Sequence, residues 1–164
     1  MSRSGYSDSL DQWDLIRWRG AVKSAIRGKR GQQALREIAA ALDSLPTQEL
    51  AAESLVTTDG EYCTLGALGR ARGLDMRQLD PEDREAVAQA FGIAEALAAE
   101  VMYLNDEAVS AWNYVTVEIV GPVRYGYPDF NQHRRSVRVR EEGLDHKRWR
   151  YMRAWVAEQL KESK

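Results

Sequence analysis

Residues 59–69 read D-G-E-Y-C-T-L-G-A-L-G, and the fold turns on how they are read. Asp59-Gly60 is a hairpin signal, because a type I′ turn needs φ > 0 at both central residues and these two tolerate it. Residues 55–58 enter the turn and residues 61–65 leave it, which predicts a hairpin over 55–65. Gly66-Ala67-Leu68-Gly69 passes directly into a helical pattern, and small residues there let neighbouring backbone approach closely. The stretch reads as the internal hub of a compact domain and carries no catalytic motif.

Upstream of the hub lie two amphipathic patterns. Ser9 to Gln12 fits a capping box and predicts a helix over 10–27, with Leu15, Trp18, Val22 and Ala25 facing the core and Trp13 and Ile16 widening the stripe. Gly28-Lys29-Arg30-Gly31 breaks it. A second helix is predicted over 32–43, with Leu35, Ile38, Ala39 and Leu42 on its apolar face, stopped before Pro46. Downstream, the helix that begins in the hub ends at Gly73, a C′ glycine. Asp80-Pro81-Glu82-Asp83 predicts a helix start, with Asp80 as cap and Pro81 in the first position. Gly92 interrupts the pattern, and Ile93, Leu97, Val101 and Leu104 carry a helical stripe to Asn105-Asp106.

The period then changes. Residues 114–120 alternate, with Val115, Val117 and Ile119 on one face, and residues 136–140 alternate with Val137 and Val139 inward and Arg138 and Arg140 outward. A long loop joins them, and the pair is expected as a projection that joins the first hairpin in a small sheet. Asp145 then caps a last helix over 146–161, facing Trp149, Met152, Val156 and Leu160 inward. The expected fold class is α+β: a mainly helical single domain with a short β-hairpin and an inserted β-arm. Residues 1–107 and 143–164 form the helical core, and residues 108–142 form the arm.

Composition bounds the function classes. The chain has 164 residues, 44% apolar and 29% charged, which suits an ordinary globular protein. One cysteine, Cys63, excludes an intramolecular disulfide and agrees with a reducing, cytoplasmic setting. The first residues lack the apolar core of a signal peptide. No run approaches the roughly 20 apolar residues that span a bilayer, so no membrane is expected. Five tryptophans leave room for an exposed apolar interface, including one between copies of the chain. Net charge is −2 but segregated: residues 1–31 hold seven basic and three acidic groups, residues 32–110 hold five and fifteen, and residues 111–164 hold eleven and seven. Two basic ends flanking an acidic middle either cancel by packing together or present a basic face to an anionic partner.

The stretches W-D-L-I-R-W-R-G-A-V-K-S-A-I-R-G-K-R-G-Q (13–32), D-G-E-Y-C-T-L-G-A-L-G-R-A-R-G (59–73), F-G-I-A (91–94), L-N-D-E (104–107) and M-R-A-W-V (152–156) resemble a group of small bacteriophage and prophage proteins of unknown function. More distantly, the D-G-x-x-C-x-L-G box with a later L-N-D is similar to phage and actinobacterial proteins. The resemblance covers residues 5–107 and 145–160. It departs at 108–142, which look like an insertion. It implies a phage or prophage origin and brings neither a catalytic residue nor a ligand.

Five readings bear on chemistry. A nucleophilic cysteine needs a base and an electropositive setting. For Cys63 only His133 and His146 offer imidazoles, both far off in sequence, so it reads as a small buried hydrophobe. Two histidines and one cysteine show no ligand spacing, and no phosphate loop or dinucleotide fingerprint is present, so no metal and no cofactor is expected. Asp59, Asn105 and Asp106 are the polar set that a pocket would gather, although such residues at a helix end also bond local backbone. Arg19, Lys23 and Arg27, at spacing four and continued by Lys29 and Arg30, form a stripe on a face away from the tryptophans. That stripe either tracks phosphates or is a solvated face. In the arm, Tyr125, Tyr127, Phe130, His133, Arg134 and Arg135, with Arg138 and Arg140, combine aromatics with arginines, as interface hot spots do.

The function expected from these readings is a phage-encoded, non-enzymatic accessory protein that binds a host protein or a small anionic ligand, in host takeover or counter-defence. One alternative is a nucleic-acid-binding regulator that uses the basic stripe of the first helix. Another is an enzyme of unknown reaction.

Overall fold

The computed structural model describes residues 2–7, 11–118 and 134–161. Among them are six helices and one antiparallel strand pair, a mainly helical α+β fold: α1 (Gln12–Arg27), α2 (Lys29–Asp43), α3 (Thr64–Arg72), α4 (Arg84–Ala90), α5 (Glu95–Glu107), β1 (Trp112–Glu118), β2 (Arg134–Arg140) and α6 (Leu144–Lys161). They fall into two compact units, Met1–Val109 with Asp145–Lys164, and Ser110–Leu144.

The first unit is built around α5. Leu97, Ala98, Ala99, Val101, Met102, Leu104 and Asn105 are all buried, because α1, α3 and α4 each pack against this helix. α2 adds Leu35, Ile38 and Leu42, and α6 adds Met152 and Val156. Each such side chain contributes about 1.5–3 kcal/mol by leaving water.

Helix starts differ from the expected ones. α1 begins at Gln12, and Asp11 caps it by accepting from the Asp14 N–H at 2.8 Å. Ser9 and Leu10 lie outside the described residues. Val22 and Ile26 are buried, and Trp18 and Ala25 pack against the core. Trp13 is 72% exposed and Ile16 53%, so the apolar period runs on past the surface it packs against. α2 starts at Lys29, since Gly28 alone makes the corner. Asp80 closes a local turn by accepting from the Glu82 N–H, and the cap of α4 is Asp83, which accepts from the Ala86 N–H at 3.0 Å. α6 starts at Leu144, so Asp145 sits in its first turn and accepts from Arg148 Nη1 at 2.6 Å. Buried Arg148 also donates to the Leu50 carbonyl, and Trp149 Nε1 donates to the Leu42 carbonyl at 3.0 Å. These bonds tie α6 to the end of α2 and the segment after it.

The 55–65 hairpin shrinks to one bridge, Val56 with Tyr62. The Thr57 N–H donates to Glu61 O at 2.8 Å and the Gly60 N–H to Thr57 O at 3.1 Å. Only Gly60 in this loop has positive φ, 83°, so the turn is a three-residue loop closed by a left-handed glycine and not type I′. The strand cannot continue because Cys63 is the N-cap of α3, its Sγ accepting from the Gly66 N–H at 3.4 Å. Gly66 meets the carbonyl of Leu55 so closely that a Cβ there would lie 1.8 Å from the oxygen. Gly73, at φ 68°, ends α3.

In the second unit β1 and β2 pair antiparallel with Val115 opposite Val137 and Trp112 opposite Arg140. Asn113, Val115, Val117, Arg135, Val137 and Val139 share one face; Trp112, Tyr114, Arg138 and Arg140 lie on the other. Val137 and Val139 are not inward, since every residue of both strands is exposed. The sheet has two strands among the described residues, and the 55–65 bridge does not join it. Ile119 and Val120 lie outside the described residues.

No single helix among the described residues is long and apolar enough to cross a membrane. α4 and α5 pass such a test only as a pair, on length and composition, and are bent by 109°.

Candidate functional site

Asn105 and Asp106 end α5 beside the start of α3. Asn105 Oδ1 accepts from the Thr64 N–H at 3.0 Å and from Thr64 Oγ1 at 2.8 Å, while its Nδ2 donates to Ala51 O at 2.9 Å and to Asp106 Oδ1 at 2.8 Å. Asp106 accepts a two-pronged bond from Arg3, Nε at 2.5 Å and Nη2 at 2.9 Å, and a further bond from the Glu53 N–H at 3.1 Å. Glu53 is the one described non-glycine residue with positive φ, 61°, and this bond holds it there. Burial works to lower the Arg3 guanidinium; the adjacent Cys63 sulfur and the Asp106 carboxylate outweigh it and hold Arg3 above the usual arginine range.

Asn105 and Asp106 therefore spend their hydrogen-bonding capacity on the chain itself, while Arg3 Nη1 stays buried without a hydrogen-bond partner. Asp59 is not among them: it is exposed on the 58–60 loop and borders a different hollow, with Tyr62, Arg70 and Asp145. The expected set of Asp59, Asn105 and Asp106 is thus divided by the structure. What it missed is Arg3, which packs on Asp106 from 103 residues away. Arg3 and Asp106 also border an acidic hollow with Glu53, Glu82 and Glu107. No group of three or more possible ligands among the described residues could hold a metal ion.

The second polar assembly is a groove of about 310 Å³ along α1, closed on its far side by α5 and α6. Val22 and Ile26 line it from α1 together with Arg19, Lys23 and Arg27. Trp18 lines it too, and Trp155 and Gln159 of α6 face them with Glu100 of α5. The basic stripe is therefore not on a face remote from the tryptophans. Arg19 follows Trp18 by one position and Lys23 follows Val22, so the row runs along the edge of the apolar face, where long cationic stems lie against apolar surface. None of Arg19, Lys23 and Arg27 closes an ion pair among the described residues. Lys29 and Arg30 are exposed in the first turn of α2 and do not line the groove.

Glu100 stands at the inner wall. Its Oε2 accepts from Trp18 Nε1 at 3.3 Å. Burial pushes its carboxyl above the usual value, against the opposing pull of the Trp18 bond and the Arg19 charge. Glu100, Trp155 and Gln159 escaped sequence reasoning. The signal for Glu100 was present as a lone carboxylate inside the apolar run of α5.

In the arm, Arg138 lies over the Trp112 ring at 4.1 Å, Arg134 Nε donates to Glu118 Oε1 at 3.4 Å, and Arg135 sits opposite Val117. Arg140 pairs with Trp112. Tyr125, Tyr127, Phe130 and His133 lie outside the described residues.

Comparison of the chain with family models, with curated proteins and with solved structures finds no match in any of the three.

Proposed function

We propose that this protein is a non-enzymatic accessory protein, of the phage-encoded kind its boxes resemble, and that it binds a small anionic ligand in the α1 groove. One observation carries the reading. Three cations spaced four apart line a concave surface with two indoles, and no described carboxylate neutralises them in an ion pair. Binding sites of this size combine apolar walls with a few placed polar groups. At the other polar assembly, Asn105 and Asp106 are engaged in internal bonds.

Thermal shift against phosphate, pyrophosphate and citrate, on the wild type and on the R19A/K23A/R27A variant, tests it. At least one anion should raise the wild-type midpoint and leave the variant unmoved. Absence of any shift in the wild type overturns the reading.

A protein partner is the second reading, favoured by the arm. Val115, Val117, Val137 and Val139 line one exposed face, and Trp112 and Tyr114 the other. An isolated two-stranded hairpin is marginal in water, so a binding partner would cover apolar surface there. Deleting residues 110–144 should leave anion binding in the groove intact and abolish capture of a host protein.

A further inference from the structure

We propose that the ligand of the α1 groove is a free mononucleotide, an anion that carries a flat aromatic ring. This rests on the anion-binding reading and adds the ring. The cations alone would suit any phosphate. The indoles are what set this groove apart from a solvated basic face: Trp18 and Trp155 border the same hollow as Arg19, Lys23 and Arg27 and are only partly buried. Aromatic side chains hold bases by stacking regardless of base identity, while cations track the phosphate. Arg19 also stands near enough to Glu100 to act on its carboxyl, and Glu100 Oε2 already holds the Trp18 indole at 3.3 Å. The cation row and the aromatic wall are thereby joined in one hollow, with the Glu100 carboxylate as an acceptor beside the Trp18 indole.

Size and charge select the free nucleotide over a strand. About 310 Å³ lies at the lower end of small-ligand sites. The chain carries a net charge of −2, with ten more acidic than basic groups over residues 32–110, a field that disfavours a long polyanion.

The test is equilibrium titration of the full chain, followed by tryptophan fluorescence and by calorimetry. The probes are adenosine and guanosine 5′-monophosphates, their nucleosides, inorganic pyrophosphate, and oligodeoxythymidylates of two and ten residues. The proposal expects at least one monophosphate to bind at least about tenfold more tightly than both its nucleoside and pyrophosphate. Trp155→Ala should weaken that nucleotide about tenfold and leave pyrophosphate unchanged, and Trp155→Phe should restore most of the loss. The K23A/R27A variant, altered only at exposed positions, should lose the nucleotide while keeping the wild-type thermal midpoint. If pyrophosphate binds as tightly as the nucleotide, the ring inference is overturned and the anion-binding reading survives. If affinity climbs from the dinucleotide to the decamer with steep salt dependence, the free nucleotide is overturned in favour of a single strand. If no phosphate-bearing probe binds, the inference fails, and the reading beneath it fails with it only when citrate also leaves the wild-type midpoint unmoved.

Discussion

Two polar assemblies in the helical unit are built from similar residues and end in opposite states. Around Asn105 and Asp106, a guanidinium, an amide and two backbone N–H groups converge, and of the buried polar atoms there only Arg3 Nη1 is left without a partner among the described residues. In the α1 groove, three cations and a half-buried carboxylate stand together without closing a single ion pair. The contrast separates polar groups that hold a fold from polar groups held ready by one. Unpartnered cations cost little while water solvates them, whereas a buried group without its partner costs its full desolvation. The first assembly should therefore answer substitution with lost stability and the second with lost binding.

The largest effect is expected at Asp106. Asp106→Ala leaves the Arg3 guanidinium, whose side chain is 3% exposed, buried without a counter-charge, which costs about 3–5 kcal/mol. Urea denaturation reads it as a lower midpoint at unchanged slope. A loss under about 1 kcal/mol would place Arg3–Asp106 among solvent-screened pairs and erase the contrast. Gly66→Ala follows, at about 3 kcal/mol, because the added methyl meets the rigid carbonyl of Leu55. Gly20 on α1 is its counterpart: a Cβ there meets nothing within 4 Å, and Gly20→Ala should stabilise by about 1 kcal/mol through helix propensity.

Glu100 tests the comparison through pH. Its folded carboxyl is raised above the ordinary 4.5, first by burial. The folded state then holds the proton more tightly than the unfolded chain. Stability is fullest below pH 4.5, falls as pH rises toward the raised folded value, and is flat above it. Glu100→Gln keeps an acceptor for Trp18 Nε1 and removes the titration. The variant should be the more stable at neutral pH, with the difference vanishing in acid. A difference that persists unchanged below pH 4.5 would mean that something other than ionisation is responsible.

The sequence made the helical class legible because α2 and α5 repeat their apolar residues with clear helical spacing. Boundaries were less legible where two capping residues compete for one role. Asp11 caps α1 in place of Ser9 and Asp83 caps α4 in place of Asp80, because each of these side chains can accept from a backbone N–H two or three residues on and the sequence alone does not say which one the helix starts from. The hairpin misread had a different cause. Asp59-Gly60 suits more than one loop, and the cysteine two residues beyond Glu61 stops the strand by capping α3. Arg3 was illegible in principle, since nothing near it in the chain marks a partner 103 residues on. The cation row of α1 was legible as a row. Its place against Trp155 was not, because that neighbour comes from α6 and only packing brings it there.

The smallest effect on stability is the one that bears most on function. Arg19, Lys23 and Arg27 are exposed and make no ion pair among the described residues, so the R19A/K23A/R27A variant should change stability by no more than about 0.5 kcal/mol per site. Relief of their mutual repulsion opposes the loss of the favourable position of Arg27 in the last turn of α1. Urea denaturation and anion titration on the same preparations separate the outcomes. Unchanged stability with lost binding keeps the groove on the functional side of the contrast. A loss as large as that of Asp106→Ala would make the row structural, place both assemblies in one class, and remove the ground for a ligand at α1.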